Sequence, residues 1–392
     1  MKVYLDHNAT TPLHPEVLAA MLPFLGERFG NPSSVHGWGR EARHALETAR
    51  QGVAAALGVA EKDCIVFTGG GTEANNLALI GVVAARADRA RHLIVSAVEH
   101  PAVLHTADHL ERQGCAVTRL PVDRDGVLDP DGVRRAIRSD TVLVSLMHAN
   151  NETGVLFPIE EIGAICRERD VPLHTDAVQS FGKVPVNVEA LGVDLLSVSG
   201  HKIHGPKGVG ALYVRRGMNM IPLIHGGGQE RSRRGGTENV AGAVGLARAA
   251  TLMGAELEEA NHRMAELRDR LETVLMSTRG AGLGNGHRRR RLPHTSNLAF
   301  LGIDAESLVI ALDLRGVAVS SGAACSSGAV EPSHVLLAMG LSPEHARCSV
   351  RFSLGRWTAS QEIEYVAETV LSIVERMHGA NRRQPERARS SA

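Results

Sequence analysis

Ser199-Gly200-His201-Lys202-Ile203-His204-Gly205-Pro206-Lys207-Gly208-Val209-Gly210 sets a lysine between two histidines on a glycine-rich turn. One apolar run precedes it (193–198) and another follows (209–214), which predicts two buried strands joined by a tight connection. On such a connection, desolvation lowers the pKa of Lys202 and makes a neutral amine available. A neutral lysine amine in a cleft forms Schiff bases, with a carbonyl substrate or with pyridoxal phosphate. Gly-Pro-Lys-Gly is also ordinary turn chemistry, and a solvent-exposed turn lysine fits the window as well.

Outward from this stretch, further apolar runs fall at 65–67, 93–97, 117–122, 142–147 and 171–174. Helix-like segments at 72–87, 101–113, 130–138 and 159–168 separate most of them. This alternation predicts an α/β fold, a mostly parallel sheet flanked by helices. Before it, Val3-Tyr4-Leu5 reads as a short strand leading into a polar turn, and 15–25 as a helix. Ser33 or Ser34 caps a longer helix that ends at Gly58. After Gly236 the alternation stops. Residues 237–279 read as one long helical stretch, followed by a basic loop, His287-Arg288-Arg289-Arg290-Arg291. A smaller α+β pattern comes next, with strands at 297–301, 317–320 and 349–354 and helices at 304–315, 333–339 and 360–377. The tail, 381–392, is polar and Arg-rich, a composition that predicts disorder.

Equal numbers of basic and acidic side chains, 43 of each, argue against nucleic acid or a membrane surface as the main partner. Aromatics are too scarce, at 3%, for stacking platforms. No basic, then apolar, leader opens the chain and no run approaches a membrane span, so the expected location is cytoplasmic. The five cysteines include no Cys-x-x-Cys pair, which suggests neither a disulfide framework nor a zinc knuckle. Cys64, Cys115, Cys166 and Cys348 read as core residues. Cys325 stands in a run of small residues, Ser320-Ser321-Gly322-Ala323-Ala324-Cys325-Ser326-Ser327-Gly328. An accessible thiol on a flexible tether suits a nucleophile that swings in and out of a site; an incidental loop cysteine is the alternative.

Ligands bind such sheets at the carboxyl ends of the strands. After 65–67 comes Thr68-Gly69-Gly70-Gly71-Thr72-Glu73, where glycines and a helix start make an anion cradle. After 93–97, His100 precedes Pro101 at a helix start. After 142–147 comes His148-Ala149-Asn150-Asn151-Glu152-Thr153-Gly154, and after 171–173 comes His174-Thr175-Asp176-Ala177-Val178-Gln179. Asp176 either caps the next helix or pairs with a cation, and pyridoxal phosphate needs a carboxylate at its ring nitrogen. Each motif is ambiguous alone; together, a phosphate cradle, a pyridinium partner and a Schiff-base lysine form a coherent set.

With these motifs the chain resembles the cysteine desulfurases of the NifS/IscS type (group I), within the fold-type-I pyridoxal-phosphate enzymes of the class-V aminotransferase family. The resemblance runs from Tyr4-Leu5-Asp6 to Arg351-Phe352-Ser353-Leu354-Gly355-Arg356. Ser199-Gly200-His201-Lys202, 174–179, 321–328 and Arg233-Arg234-Gly235-Gly236-Thr237-Glu238-Asn239 are its most specific pieces. It implies a large cofactor-binding domain over 14–257 and a smaller domain from 1–13 and 258–380. It implies that Lys202 holds the cofactor covalently, that His100 stacks on the ring and moves protons, and that Asp176 pairs with the ring nitrogen. Gln179 and Asn151 would face the ring oxygen, and Gly71, Thr72, Ser199 and His201 the phosphate, with Thr237 arriving from a second subunit of a homodimer. Asn8 and Arg351 would take the substrate carboxylate.

The implied reaction removes sulfur from L-cysteine, giving L-alanine and a persulfide on Cys325. That sulfur would pass to an acceptor protein, an iron–sulfur scaffold by family default, with nitrogenase maturation favoured by the NifS-like segments and tRNA thiolation as another outlet. No permanent metal site is implied, only transient ligation through the Cys325 persulfide. His7, Gly69 and Ala323 depart from the family's usual residues at positions the chemistry does not require. The other readings are a selenocysteine lyase, an aminotransferase, which needs no mobile thiol, and a non-catalytic sulfur-relay scaffold, which would bind no cofactor.

Overall fold

The structure, a computed structural model, describes residues 1–61, 64–86, 91–277, 282–321 and 331–389, the last ten by their backbone. β1 (Val3–Tyr4) is followed by α1 (Pro15–Leu25) and α2 (Gly37–Ala56). Strands and helices then alternate: β2 (Ile65–Thr68), α3 (Gly71–Ala84), β3 (His92–Ser96), α4 (Pro101–Arg112), β4 (Ala116–Leu120) and α5 (Pro130–Ala136). β5 (Thr141–Met147), α6 (Ile159–Glu168), β6 (Leu173–Asp176), α7 (Val188–Leu191), β7 (Leu195–Ser199) and β8 (Gly210–Val214) continue the series. A four-residue turn, α8 (Gln229–Ser232), leads to α9 (Val240–Ala255) and α10 (Leu257–Ser277). The remainder comprises β9 (Leu283–Gly284), β10 (Thr295–Ala299), α11 (Ala305–Asp313), β11 (Val317–Ala318) and β12 (Ser320–Ser321). α12 (His334–Ala338), α13 (Pro343–Arg347), β13 (Ser349–Ser353) and α14 (Ser360–Arg389) close the described chain.

The large sheet has the order β2-β8-β7-β6-β5-β3-β4. β8 runs antiparallel to both neighbours, and the other pairings are parallel. Apart from the edge strand β4, its strands are buried on both faces, as near-continuous apolar runs require. Apolar clusters fill both sides of it, one built on α2, α6 and α9, the other on α3 and α4. A second sheet, β12-β13-β10-β9, is antiparallel, and β1 pairs with β11 beside it. Val3, Leu5, Leu267, Leu271, Phe300, Phe352 and Val366 belong to the cluster under these strands. Val335 and Leu336 of α12, Met339 just after it and Ala346 of α13 pack instead into the cluster of the large sheet. No single described helix is long and apolar enough to cross a membrane.

Five local expectations change. α2 begins at Gly37, capped by His36, whose ring accepts from Gly39 N; Asn31 ties up Ser33 N (2.9 Å) and Ser34 N (3.0 Å) in a turn first. The stretch from 237 is two helices bent by 72°. Arg356 causes the break: its guanidinium takes the Met253 carbonyl (3.0 Å) and the Glu256 carboxylate (2.6 Å) at the end of α9. β6 lies two residues later than its apolar run, because His174 and Thr175 satisfy their polar atoms on Ser145, Ser197 and the Leu146 carbonyl. Residues 317–320 split between two sheets. α14 also carries on into the polar tail, where Glu, Arg and Gln are good helix formers.

The N-terminal arm joins the two sheets. Leu5 bonds to Ala318 and Ser353, and three residues past Asn8 the chain meets the lysine turn. There Thr11 N and Oγ1 both donate to the His201 carbonyl, at 3.0 and 2.9 Å.

Candidate active site

Asp176 is the last residue of β6, level with Met147 of β5 and Ser197 of β7. Its buried carboxylate accepts from Asn75 Nδ2 at 2.6 Å and from Val178 N at 2.9 Å. A carboxylate offers about four acceptor sites, so capacity remains for one further donor. Asn75 comes from the first turns of α3, and its own Oδ1 has no partner among the described residues.

Lys202 ends a single 3₁₀ turn, Gly200–Lys202, directly after β7. Gly205 N closes that turn on the Gly200 carbonyl at 2.9 Å, and a Cβ at Gly205 would stand 2.8 Å from that oxygen. The Lys202 Nζ donates to the main-chain oxygens of Asn8 (2.5 Å) and Ala9 (2.8 Å). Burial, with the Arg351 charge behind it, pulls the amine down to about 8 against the opposing pull of Asp6 and Asp176. Loss of the proton therefore comes far more easily than for a surface lysine.

α3 starts beside this lysine with Gly70 as its cap, so no side chain occupies the first-turn N–H groups. Bare backbone is required here: a Cβ on Gly71 would lie 2.7 Å from Val178 Cγ2, and one on Gly210 would lie 2.7 Å from the Gly70 carbonyl carbon. The helix dipole and these N–H groups make an anion site. His100 caps α4, its Nδ1 accepting from Ala102 N at 3.1 Å, which assigns the neutral ring's proton to Nε2. Burial first, then Lys202, lowers its pKa, while Asp176 opposes.

Gly71, Thr72, His100, Asn151, Asp176, Gln179, Ser199, His201 and Lys202 all line one cavity of about 190 Å³, with Asn75 and Met147. A wider opening of about 740 Å³ shares Gly71, Thr72, Ser199 and His201 with it. Thr237 is not in this wall. It is exposed and lines a neighbouring cavity of about 180 Å³ with Gly69 and Gly208. Arg351 lies behind the wall, bonded to the Asn151 carbonyl (2.9 Å) and Asp6 (2.8 Å), with its Nε buried and unpartnered among the described residues. The expectation for Asn8 changes: its side chain is buried and its polar atoms are spent on Asn151, Thr295 and His294. It has no donor left for a substrate carboxylate.

Cys325 lies outside the described residues; the described residues on either side of that stretch are held near the site. Ser320 pairs with Arg351 across β12 and β13. On the C-terminal side, Ser333 donates to Glu152 Oε2 at 2.5 Å, and His334 Nε2 meets the Glu99 carbonyl at 2.9 Å. Cys64, Cys115, Cys166 and Cys348 are buried. Of the basic loop, Arg291 is held by Glu272 (2.6 and 2.7 Å), while Arg288, Arg289 and Arg290 are exposed. Asn75 is the site residue that the motifs did not single out; its position four residues after Gly71, on the same helix face, was the available signal.

A buried carboxylate with spare acceptor capacity, a lysine titrating near 8 and an uncapped helix start share one cavity. That donor set fits pyridoxal phosphate: a cationic ring nitrogen, an aldehyde and a phosphate each meet a complementary group.

The aminotransferase class-V family matches residues 3–366. The chain is 50% identical over 376 residues to the cysteine desulfurase IscS of Dictyoglomus turgidum, covering 96% of this chain and 95% of that one. To the cysteine desulfurase IscS of Methanosarcina thermophila it is 49% identical over 388 residues, covering 99% and 96%. A solved NifS-like protein superposes with a TM-score of 0.90 at 40% identity, covering 96% of this chain and all of that one.

Proposed function

This chain belongs to the aminotransferase class-V family and is a pyridoxal-phosphate-dependent cysteine desulfurase; we propose that Lys202, Asp176, His100 and Cys325 carry its chemistry. The observation that supports this most is the Lys202 amine and the Asp176 carboxylate in the wall of one cavity at the ends of β6 and β7. Pyridoxal phosphate, when bound, supplies a conjugated ring that takes up the electron pair left when the substrate Cα loses its proton. Asp176, oriented by Asn75 and Val178 N, would hold the ring nitrogen in its cationic form. The first turn of α3, with Thr72, Ser199 and His201 in the same wall, would hold the phosphate.

Lys202 would hold the cofactor and, when free, would take the substrate Cα proton as a base; its lowered pKa, about 8, puts the neutral form within reach near neutral pH. His100 would lie against the ring, with Nε2 carrying the proton it can give. Arg351 meets the substrate carboxylate. The Cys325 thiolate attacks the substrate sulfur: an S–S bond forms, the Cβ–S bond breaks, and the electron pair stays with the carbon skeleton, which leaves as L-alanine after protonation. Cys325 keeps the sulfur as a persulfide until an acceptor thiol takes it.

The acceptor is an iron–sulfur scaffold protein, and the enzyme works as a cytoplasmic homodimer in which Thr237 completes the partner's phosphate site. Within one chain Thr237 stays outside the cavity wall, which is the support for that second copy. Lys202→Ala removes the absorbance of the attached cofactor and turnover with it. Cys325→Ser keeps the absorbance and loses persulfide formation, followed by mass spectrometry. Full sulfide release by Cys325→Ser overturns the assignment of the acceptor thiol, and an unchanged spectrum in Lys202→Ala overturns the assignment of the lysine.

A further inference from the structure

We infer that Asn8 is a positioning residue for Lys202: its side chain locks the N-terminal arm so that the Asn8 and Ala9 carbonyls hold the lysine amine. The inference rests on Lys202 being the lysine that attaches the cofactor.

Asn8 is 1% exposed and fully committed. Its main-chain N donates to Ser353 Oγ at 2.9 Å, and its Nδ2 donates to Thr295 Oγ1 at 3.0 Å and to the Asn151 carbonyl at 3.1 Å. Its Oδ1 faces His294 Nε2 at 2.8 Å. An amide oxygen only accepts, so the buried, neutral His294 carries its proton on Nε2. That leaves His294 Nδ1 as a lone pair without a partner among the described residues, in keeping with a ring that has one proton to give. Four bonds to β10, to β13, to Asn151 and to His294 therefore fix one residue of an arm that has no regular structure of its own at this point.

The lock sets the direction of a carbonyl. Asn8 O accepts from Lys202 Nζ at 2.5 Å and from Gln179 Nε2 at 2.9 Å, and Ala9 O accepts from the same Nζ at 2.8 Å. A neutral amine has two N–H groups and one lone pair. With both N–H groups spent on carbonyls, the lone pair is the function left for the substrate proton. Carbonyl acceptors also suit the ammonium form that follows, because bonds to a charged donor are the stronger ones. The amine is thus seated wherever the cofactor is not holding it, in both of its protonation states. Gln179 is part of the seat, since its Oε1 takes Lys183 Nζ at 3.1 Å while its Nε2 supports Asn8 O. Arg351 shares the Asn151 carbonyl with Asn8, so the seat and the arginine behind it are built on one network.

The test uses Asn8→Ala in the full chain. In cofactor-free protein, reductive methylation of Lys202 is followed against pH by mass spectrometry of its peptide. Hydrogen bonds to the charged form raise an amine's pKa, so losing the seat lowers the labelling midpoint by about one unit. In the holoenzyme, kcat falls about tenfold, the scale of a misplaced catalytic group, while KM for L-cysteine stays unchanged. Thr295→Val removes one partner of Asn8 at constant shape; it gives the same two changes in smaller degree and serves if Asn8→Ala does not fold. A raised KM with an unchanged kcat and labelling midpoint overturns the inference and makes Asn8 a substrate contact. Unchanged values throughout in both variants overturn it too. Failure of the underlying reading looks different, because Lys202→Ala would then still attach the cofactor.

Discussion

The Arg50 guanidinium and the Glu230 carboxylate form a two-bonded ion pair, at 2.5 and 2.8 Å, with both side chains 2% exposed. Arg50 projects from α2 and also takes the Ile65 carbonyl, and Glu230 takes Phe67 N, so the pair is anchored on β2. Glu230, Arg231 and Ser232 all have positive φ, at 46°, 56° and 61°. Three consecutive left-handed non-glycine residues are costly and persist only when their surroundings over-determine them. The buried pair supplies that constraint at the head of the segment leading to Thr237.

Breaking the pair from one side leaves a buried charge. Arg50→Ala or Glu230→Ala is expected to cost about 3–5 kcal/mol, whereas Arg50→Met combined with Glu230→Leu costs much less. Urea denaturation midpoints measure both. A single variant as stable as the double one would show that water reaches the site and that the pair does not hold the turn.

Glu99 gives the protein a pH-dependent stability. Its carboxyl is fully buried, Oε1 is bonded to Ser96 and Met147 N, and Oε2 has no partner among the described residues. Burial raises it from 4.5 to about 8, and Glu152 likewise to about 7. A raised folded pKa is stabilising below the unfolded value and is lost as pH rises through the folded one. Buried His7, His148, His174 and His204 and half-buried His201 have lowered values, about 3 to 4, and act in the opposite sense, below 6.5. Between pH 6.5 and 8 that offset is gone, and of the buried lysines Lys183, lowered by burial, acts against the two carboxyls. Stability is expected to fall across that window, and Glu99→Gln to flatten the fall; urea midpoints at several pH values decide, and an equal slope in the variant rejects the assignment.

Asp176→Asn keeps the shape of the site and removes its charge. Asn75 can turn its unpartnered Oδ1 toward the new amide, so the local structure survives. Cofactor binding is expected to persist while turnover drops by about 10²–10³-fold, the loss typical of one aimed electrostatic group. Alanine production from L-cysteine measures it. Near-normal turnover would remove Asp176 from the ring nitrogen.

Gly71→Ala tests the cradle. The added methyl meets Val178 Cγ2 at 2.7 Å and Ser199 Cβ at 3.4 Å, a crowding worth about 1–3 kcal/mol. Alanine favours the helix itself by about 1 kcal/mol, so the fold is retained and the loss appears in cofactor affinity. Titration of cofactor-free protein is expected to show binding weakened tenfold or more. Unchanged affinity would place the phosphate elsewhere.

Much of this molecule is written in short range. Strand and helix alternation from 65 to 214, the glycine start of α3, and a lysine and an aspartate at adjacent strand ends are all local patterns, because a parallel sheet needs buried apolar runs and a ligand needs open strand ends. They suffice for the fold class and for where Lys202 and Asp176 meet. The role of Asn8 was not legible. Its partners His294 and Ser353 lie 286 and 345 residues away, and no spacing or periodicity records a contact at that distance. The break between α9 and α10 is similar, since Arg356, about one hundred residues later, takes the Met253 carbonyl, which a continuous helix would have used. The chain's local pattern determined which chemical groups face the cavity. Only the packed structure decided how they are held, because a hydrogen bond between distant segments depends on where two sheets dock and not on either segment's own preference.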